Sequence, residues 1–148
     1  MKLTRTTITI LALVAILSLT ACGPKATPGP VVLSVKGLVG SELSLTDADL
    51  HGMKVATISA KPPKSDTAQD YNGVRLSDLI DKAKVKTEAA SMVMTASDGF
   101  TSEIDLATLK ACADCMIAFT ETAGTLNAVM PGQSNKAWVK GIVSIEFK

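Results

Sequence analysis

From Val31 onward the apolar residues of the 148-residue chain come in short runs, each closed by Gly, Pro, Ser, Asn or Asp. None is long enough for a bundle helix, and most alternate apolar with polar positions, the period of a strand with one face in a core. Val31 to Val39 (VVLSVKGLV) reads as a strand with Gly37 as a bulge, and Lys54 to Ser59 (KVATIS) as a second. Ser91 to Ala96 and Phe100 to Ile104 read as two more, joined into a hairpin at Ser97-Asp98-Gly99, where the Asp98 side chain serves the turn. Met116 to Thr120, Leu126 to Met130 and Ile142 to Phe147 complete the strands. Helices fit only between them. Thr46-Asp47-Ala48-Asp49 is a capping-box variant opening a single turn that ends near Gly52. Ser77 is placed to cap a helix through Asp78, Leu79, Ile80 and Ala83, and Asp105 one that runs to about Lys110. Lys61 to Asp70 carries Pro62 and Pro63 and reads as a loop long enough to be functional, followed by a turn at Tyr71-Asn72-Gly73. The expectation is an α+β fold: a compact, mainly β domain with two or three short helices.

The segment before Val31 has a different logic. Lys2 and Arg5 precede an apolar run from Ile8 to Leu17 that ends in small and polar residues. The run is short for a bilayer span and has the flanks of a signal peptide. Leu19-Thr20-Ala21-Cys22 resembles the lipobox of bacterial lipoproteins, in which the Cys thiol receives a diacylglyceryl group and the new amine is often acylated, with palmitate as a typical chain. Two or three chains anchor stably where one does not. Residues 23–30 (GPKATPGP) hold three prolines and two glycines and read as an extended tether. The expected organisation is a signal peptide over 1–21, a lipidated Cys22 with its tether over 22–30, and one domain over 31–148. The expected address is the extracytoplasmic side of the cell membrane or outer membrane, reached through Cys22.

Of the 15 Lys and Arg, Lys2 and Arg5 fall in the leader, leaving 13 against 14 Asp and Glu. With no basic excess and few aromatics, nucleic acid is not an expected partner.

Four pieces, in order, resemble the molybdopterin-binding domain of the sulfite oxidase family: Leu45-Thr46-x-x-x-Leu50, then Tyr71-x-Gly73-Val74-x-Leu76-x-Asp78-Leu79-Ile80, then Ala96-Ser97-Asp98-Gly99-Phe100, and last Trp138-Val139-Lys140-Gly141-Ile142-x-x-Ile145. The resemblance covers the chain from Val31 to Lys148 and implies a mixed, partly barrel-like sheet. It also implies a molybdenum-ligating Cys after the strand at 54–59. Here the stretch reads Val55-Ala56-Thr57-Ile58-Ser59-Ala60, and neither a hydroxyl nor a methyl supplies a soft sulfur ligand. Of basic residues to grip a pterin phosphate, only Lys61, Lys64 and Arg75 lie near. Resemblance of fold therefore does not carry the chemistry. The expected cofactor is none, with molybdopterin suggested by the resemblance alone, and the domain leans away from catalysis.

Cys112 and Cys115 are the other cysteines, in Ala111-Cys112-Ala113-Asp114-Cys115-Met116. A haem attachment site requires His after the second Cys, and Met116 stands there. Zinc would need His51 and carboxylates to complete four ligands. A thioredoxin-like pair would sit at a helix N-terminus, whereas this one follows a helix. A local structural disulfide is the leading reading outside the cytoplasm, with reduced thiols, a redox pair and a zinc site as the alternatives. No metal site is expected. His51 reads as a surface turn residue, Trp138 as a core anchor, and Met92, Met94, Met116 and Met130 as packing. The functional expectation is a binding or redox-accessory module that meets a small ligand or redox protein through the 61–70 loop. The alternatives are an oxidoreductase holding molybdopterin without the Cys ligand, and a structural envelope protein.

Overall fold

Alternation of apolar and polar side chains assembles the strands into two sheets packed through one shared core. The computed structural model describes residues 29–148. The expected signal peptide, Cys22 and the expected tether up to residue 28 lie outside the described residues. The elements are β1 (Val31–Gly37), β2 (Leu43–Thr46), α1 (Asp47–His51), β3 (Val55–Ala60), β4 (Gln69–Arg75), α2 (Leu76–Ala83), β5 (Ser91–Ala96), β6 (Thr101–Asp105), α3 (Leu106–Ala111), β7 (Met116–Phe119), β8 (Leu126–Val129), a 3-10 turn at Asn135–Ala137, and β9 (Ile142–Phe147). One sheet has the order β2-β1-β9-β5-β6, mixed because β1 and β9 run parallel; the other is antiparallel, β3-β4-β7-β8. The fold is α+β and mainly β, and the described strands form two open sheets with no closed barrel.

The main core gathers Leu33, Val35, Met92, Met94, Ile145 and Phe147 from the mixed sheet with Val74, Ile117 and Leu126 from the antiparallel one. Helix α2 seals it with Leu76, Leu79 and Ala83, spaced on one helical face. Ile58, Ala60, Met116, Ala118 and Val129 form a smaller cluster, against which Ala56, Tyr71 and Trp138 pack. Met92, Met94, Met116 and Met130 are all fully buried, as packing residues should be, with Met130 just past the end of β8.

Helix α1 is fixed by local chemistry. The Thr46 hydroxyl accepts from the Asp49 N–H at 3.2 Å, and the Asp49 carboxylate accepts from the Thr46 N–H at 2.9 Å. These bonds, the backbone one first, hold the Asp49 carboxyl below the usual carboxylate range. The box is therefore intact at neutral pH and is lost as acid protonates Asp49. His51 closes the helix in an exposed position and stacks on Phe119, ring centroids 3.9 Å apart. With Asp47 accepting from the Gly124 N–H at 3.2 Å, this docks α1 on the β7–β8 end of the other sheet.

Several local expectations are corrected. Leu43 to Thr46 is a strand, paired with β1. The irregularity in β1 falls between Val31 and Leu33 and not at Gly37, which ends the strand at φ +94°. Ser77 does not cap α2; Arg75 is the N-cap residue, without a side-chain bond. Asp105 holds the expected position before α3, also without a side-chain cap bond. Tyr71-Asn72-Gly73 is no turn but the middle of β4, paired with Ile58, Thr57 and Ala56. Glycine stands there because the neighbouring strand passes so close. A Cβ at Gly73 would strike the Ile117 carbonyl oxygen and lie 2.6 Å from the Ala118 Cα. Backbone atoms cannot yield as a side chain can. Gly73→Ala is expected to destabilise the domain by about 3 kcal/mol or more, near the upper end for single substitutions. A thermal melt should show a fall of roughly ten degrees or more; a fall under about two degrees would mean the strands separate freely here.

Candidate functional site

The segment after β8 builds the site. Trp138 to Gly141 crosses from one sheet to the other, held by Ala128 N–H to the Val139 carbonyl at 2.7 Å and by Gly141 N–H to Asn127 Oδ1 at 3.0 Å. These bonds plant Trp138 on the outer face of the β3-β4-β7-β8 sheet. Its indole is half-buried, touching both core clusters and also walling a groove of about 400 Å³. Trp138 packs against the core as an anchor should, and in addition it walls this groove. Tyr71 meets the indole edge-on at a centroid distance of 5.9 Å, the favoured geometry for two aromatic quadrupoles.

Pro62 and Pro63 from the 61–68 loop form the far wall. Polar groups at the rim are Gln69, Asn127, Asn135 and Lys140. Desolvation raises the Tyr71 hydroxyl above the ordinary phenol value, so it is protonated at neutral pH and donates to Gln69 Oε1 at 3.3 Å. The groove therefore offers flat apolar surface on two aromatic rings and two prolines, amides able to donate or accept, and one cation.

The groove does not fit a molybdopterin. At the end of β3, where the resemblance implies a thiolate, Ser59 is exposed and Ala60 is a buried methyl. Arg75 is spent elsewhere: its guanidinium donates to the Ala113 carbonyl and, at 3.0 Å, to Asp114. Lys61 and Lys64 are exposed and line no described hollow of the groove. Among the described residues no three His, Cys, Asp or Glu side chains converge to hold a metal ion. Tyr71, Trp138 and the 61–70 segment meet at one place; His51, Asp98 and the Cys112–Cys115 pair do not line this groove. Asp98 serves its turn, accepting from the Phe100 N–H at 2.9 Å, with Gly99 at φ +87°. Asn127 and Asn135 were missed in the sequence, since an isolated amide carries no spacing signal.

No family model matches the chain, and none of the curated proteins does. Its structure is similar to that of the sulfane dehydrogenase SoxCD from Paracoccus pantotrophus, with a TM-score of 0.65 and 21% identity over 78% of this chain. The match covers 37% of that chain. At this identity the likeness is one of fold, and it agrees with the sulfite oxidase-like architecture the four sequence pieces imply.

The Cys112 and Cys115 sulfurs stand 2.05 Å apart, with Cα atoms 5.5 Å apart. Cys115 is fully buried and Cys112 partly so, and the loop between them is the one Arg75 grips. Leu76 N–H also donates to the Cys115 carbonyl at 2.9 Å, so the staple fastens β4 and α2 to the start of β7. A ring of four residues restricts the unfolded chain by only about 2 kcal/mol. Replacing both cysteines with Ser is expected to lower the melting temperature by a few degrees and leave the domain folded. Thiol counting on the denatured, unreduced protein should find neither sulfur of the pair free; two free thiols would remove the staple.

Proposed function

We propose that this chain is a lipid-anchored envelope protein whose domain binds a small ligand in the Trp138–Tyr71 groove and is not itself a molybdenum enzyme. The observation that carries this reading is the groove's composition. Two aromatic rings, two prolines and a polar rim are walls for holding a flat molecule, and no thiolate, metal cluster or activated nucleophile stands among them. The ligand that suits it has one flat apolar face against Trp138 and an uncharged or anionic polar edge toward Lys140 and the amides. A second reading, an oxidoreductase that keeps molybdopterin without the Cys ligand, is favoured by the shared fold with a sulfane dehydrogenase.

Trp138 is the single Trp of the chain, so intrinsic fluorescence reports on this groove alone. Full-length protein in mild detergent, titrated with pterins and flat carboxylated ring compounds, is expected to show saturable changes in emission. Tyr71→Ala should weaken the binding by about three- to tenfold, the value of one aromatic contact. Emission indifferent to the whole panel would sink the ligand-binding reading. Near one molybdenum per chain, in protein made in a molybdopterin-competent host, would establish the second reading instead.

The anchor rests on Leu19-Thr20-Ala21-Cys22 and the tether behind it. Full-length protein should partition into a detergent phase, and intact-mass analysis should show an acylated N-terminus at Cys22. Cys22→Ser should lose both properties. A mature N-terminus of the same mass in both proteins would rule the anchor out.

A further inference from the structure

The mixed sheet ends on β6, and that margin is built to take another strand. Ala96 N–H donates to the Phe100 carbonyl at 2.8 Å and Leu106 N–H to the Ala90 carbonyl at 2.9 Å. With Met94 opposite Ser102 and Met92 opposite Ile104, the residues that exchange bonds with β5 are 100, 102, 104 and 106. Thr101 and Glu103 therefore turn their N–H and C=O groups outward, and no other described strand meets them. Such an edge is a template for pairing unless it is covered. The margins at β3 and β8 differ. The aromatic groove takes no lining residue from β3, and β8 is bonded by the 138–141 crossover. Along the whole of β6 runs a cleft of about 430 Å³. Its opposite wall is the 3-10 turn, with Ser134, Lys136 and Ala137, and Thr108 of α3 adds to the lining.

We infer that β6 is a docking edge for an extended, basic segment of a partner protein, which adds to the sheet as a sixth strand. Side chains on such a strand alternate between two environments. On the inner side they meet Ile104 and Ala137, both buried, which suits small or β-branched apolar residues. On the outer side they meet Thr101, Glu103 and Asp105, all exposed, with Asp98 in the turn before them. Glu103 already accepts from the Ser91 hydroxyl at 2.5 Å, which holds its carboxylate in place on the sheet. Lysine or arginine at the outward positions pairs with these carboxylates. A second copy does not suit the edge. Antiparallel self-pairing centred on Glu103 sets that carboxylate against its own image, and like charges directly opposite destabilise a pair. The cleft opens past Phe100 and Lys136 into a hollow that reaches Trp138, so the docked strand lies beside the aromatic groove without using it.

The test uses full-length protein in detergent and two blocked octapeptides, one alternating Lys with Val and the other alternating Glu with Val. The Lys–Val peptide is expected to bind and to slow amide exchange at Thr101 and Glu103 by about tenfold or more. Ser102 and Ile104, already bonded to β5, should hardly change. That alternation is the mark of strand addition, and nonspecific charge attraction does not produce it. Thr101→Pro removes an outward donor from an edge that tolerates proline, and should abolish the protection. Glu103→Lys leaves the backbone unaltered and should reverse the preference toward the Glu–Val peptide, so the inference stays testable if the proline variant fails to fold. Binding with uniform or no protection along β6 would overturn it, as would equal binding of both peptides or a dimer abolished by Glu103→Lys.

Discussion

The bond from Ala128 N–H to the Val139 carbonyl joins two sheets that share no strand ladder among the described residues. Around it the backbone leaves the antiparallel sheet after Val129, returns to bridge Asn127 at Lys140, turns through Gly141 at φ +64°, and enters the mixed sheet as β9. Ser97 N–H secures the far side by donating to the Gly141 carbonyl at 2.9 Å. The Asn127 side chain supplies the bond to the Gly141 N–H, so an amide on one sheet satisfies a donor on the path to the other. Trp138 owes its position to this joint. Because its neighbour Val139 is buried and hydrogen-bonded, the indole is left across the groove instead of sinking into the core. Structural order and candidate site thus depend on the same segment, Trp138 to Gly141.

Those residues were legible in the sequence as a closing motif, but their role was not. Period-two alternation located most strands, because burial of one face is written in every second side chain. The capping box at Thr46 and Asp49 and the hairpin at Asp98-Gly99 were legible for a similar reason: both act within a few residues. Failures came where a distant partner decides. Gly73 resembles a turn until Ile117 and Ala118 are seen to press against it. Arg75 looks like a free cation until Asp114, far along the chain, takes it. The Leu43–Thr46 strand is too short to show its own period and forms because β1 templates it. Of the groove, the prolines and Tyr71 drew notice as a loop and a turn. Their meeting with Trp138 is a property of sheet order, which no local pattern states.

The site's chemistry follows from which groups remain unspent. A thiol is lacking where soft-metal chemistry would require one, and the guanidinium nearest the loop is used to brace the 112–115 ring. What is left facing solvent is aromatic carbon, proline and amide, with one lysine. Such surfaces discriminate by shape and by hydrogen-bond count more than by charge. The fold is similar to that of part of a sulfane dehydrogenase, and a shared fold does not by itself carry a shared chemistry.

Strand β9 is the last of the described strands in sequence and the middle strand of its sheet, flanked by β1 on one side and β5 on the other. Chain order and spatial order are therefore opposed. The hairpins β1–β2 and β5–β6 each join near neighbours and can pair as soon as they exist. Neither reaches the other without β9, which must close long loops before any reward comes. The larger sheet thus has no centre until β9 pairs. Losing β9 would therefore remove the keystone of the sheet, where losing an edge strand would trim only a fringe.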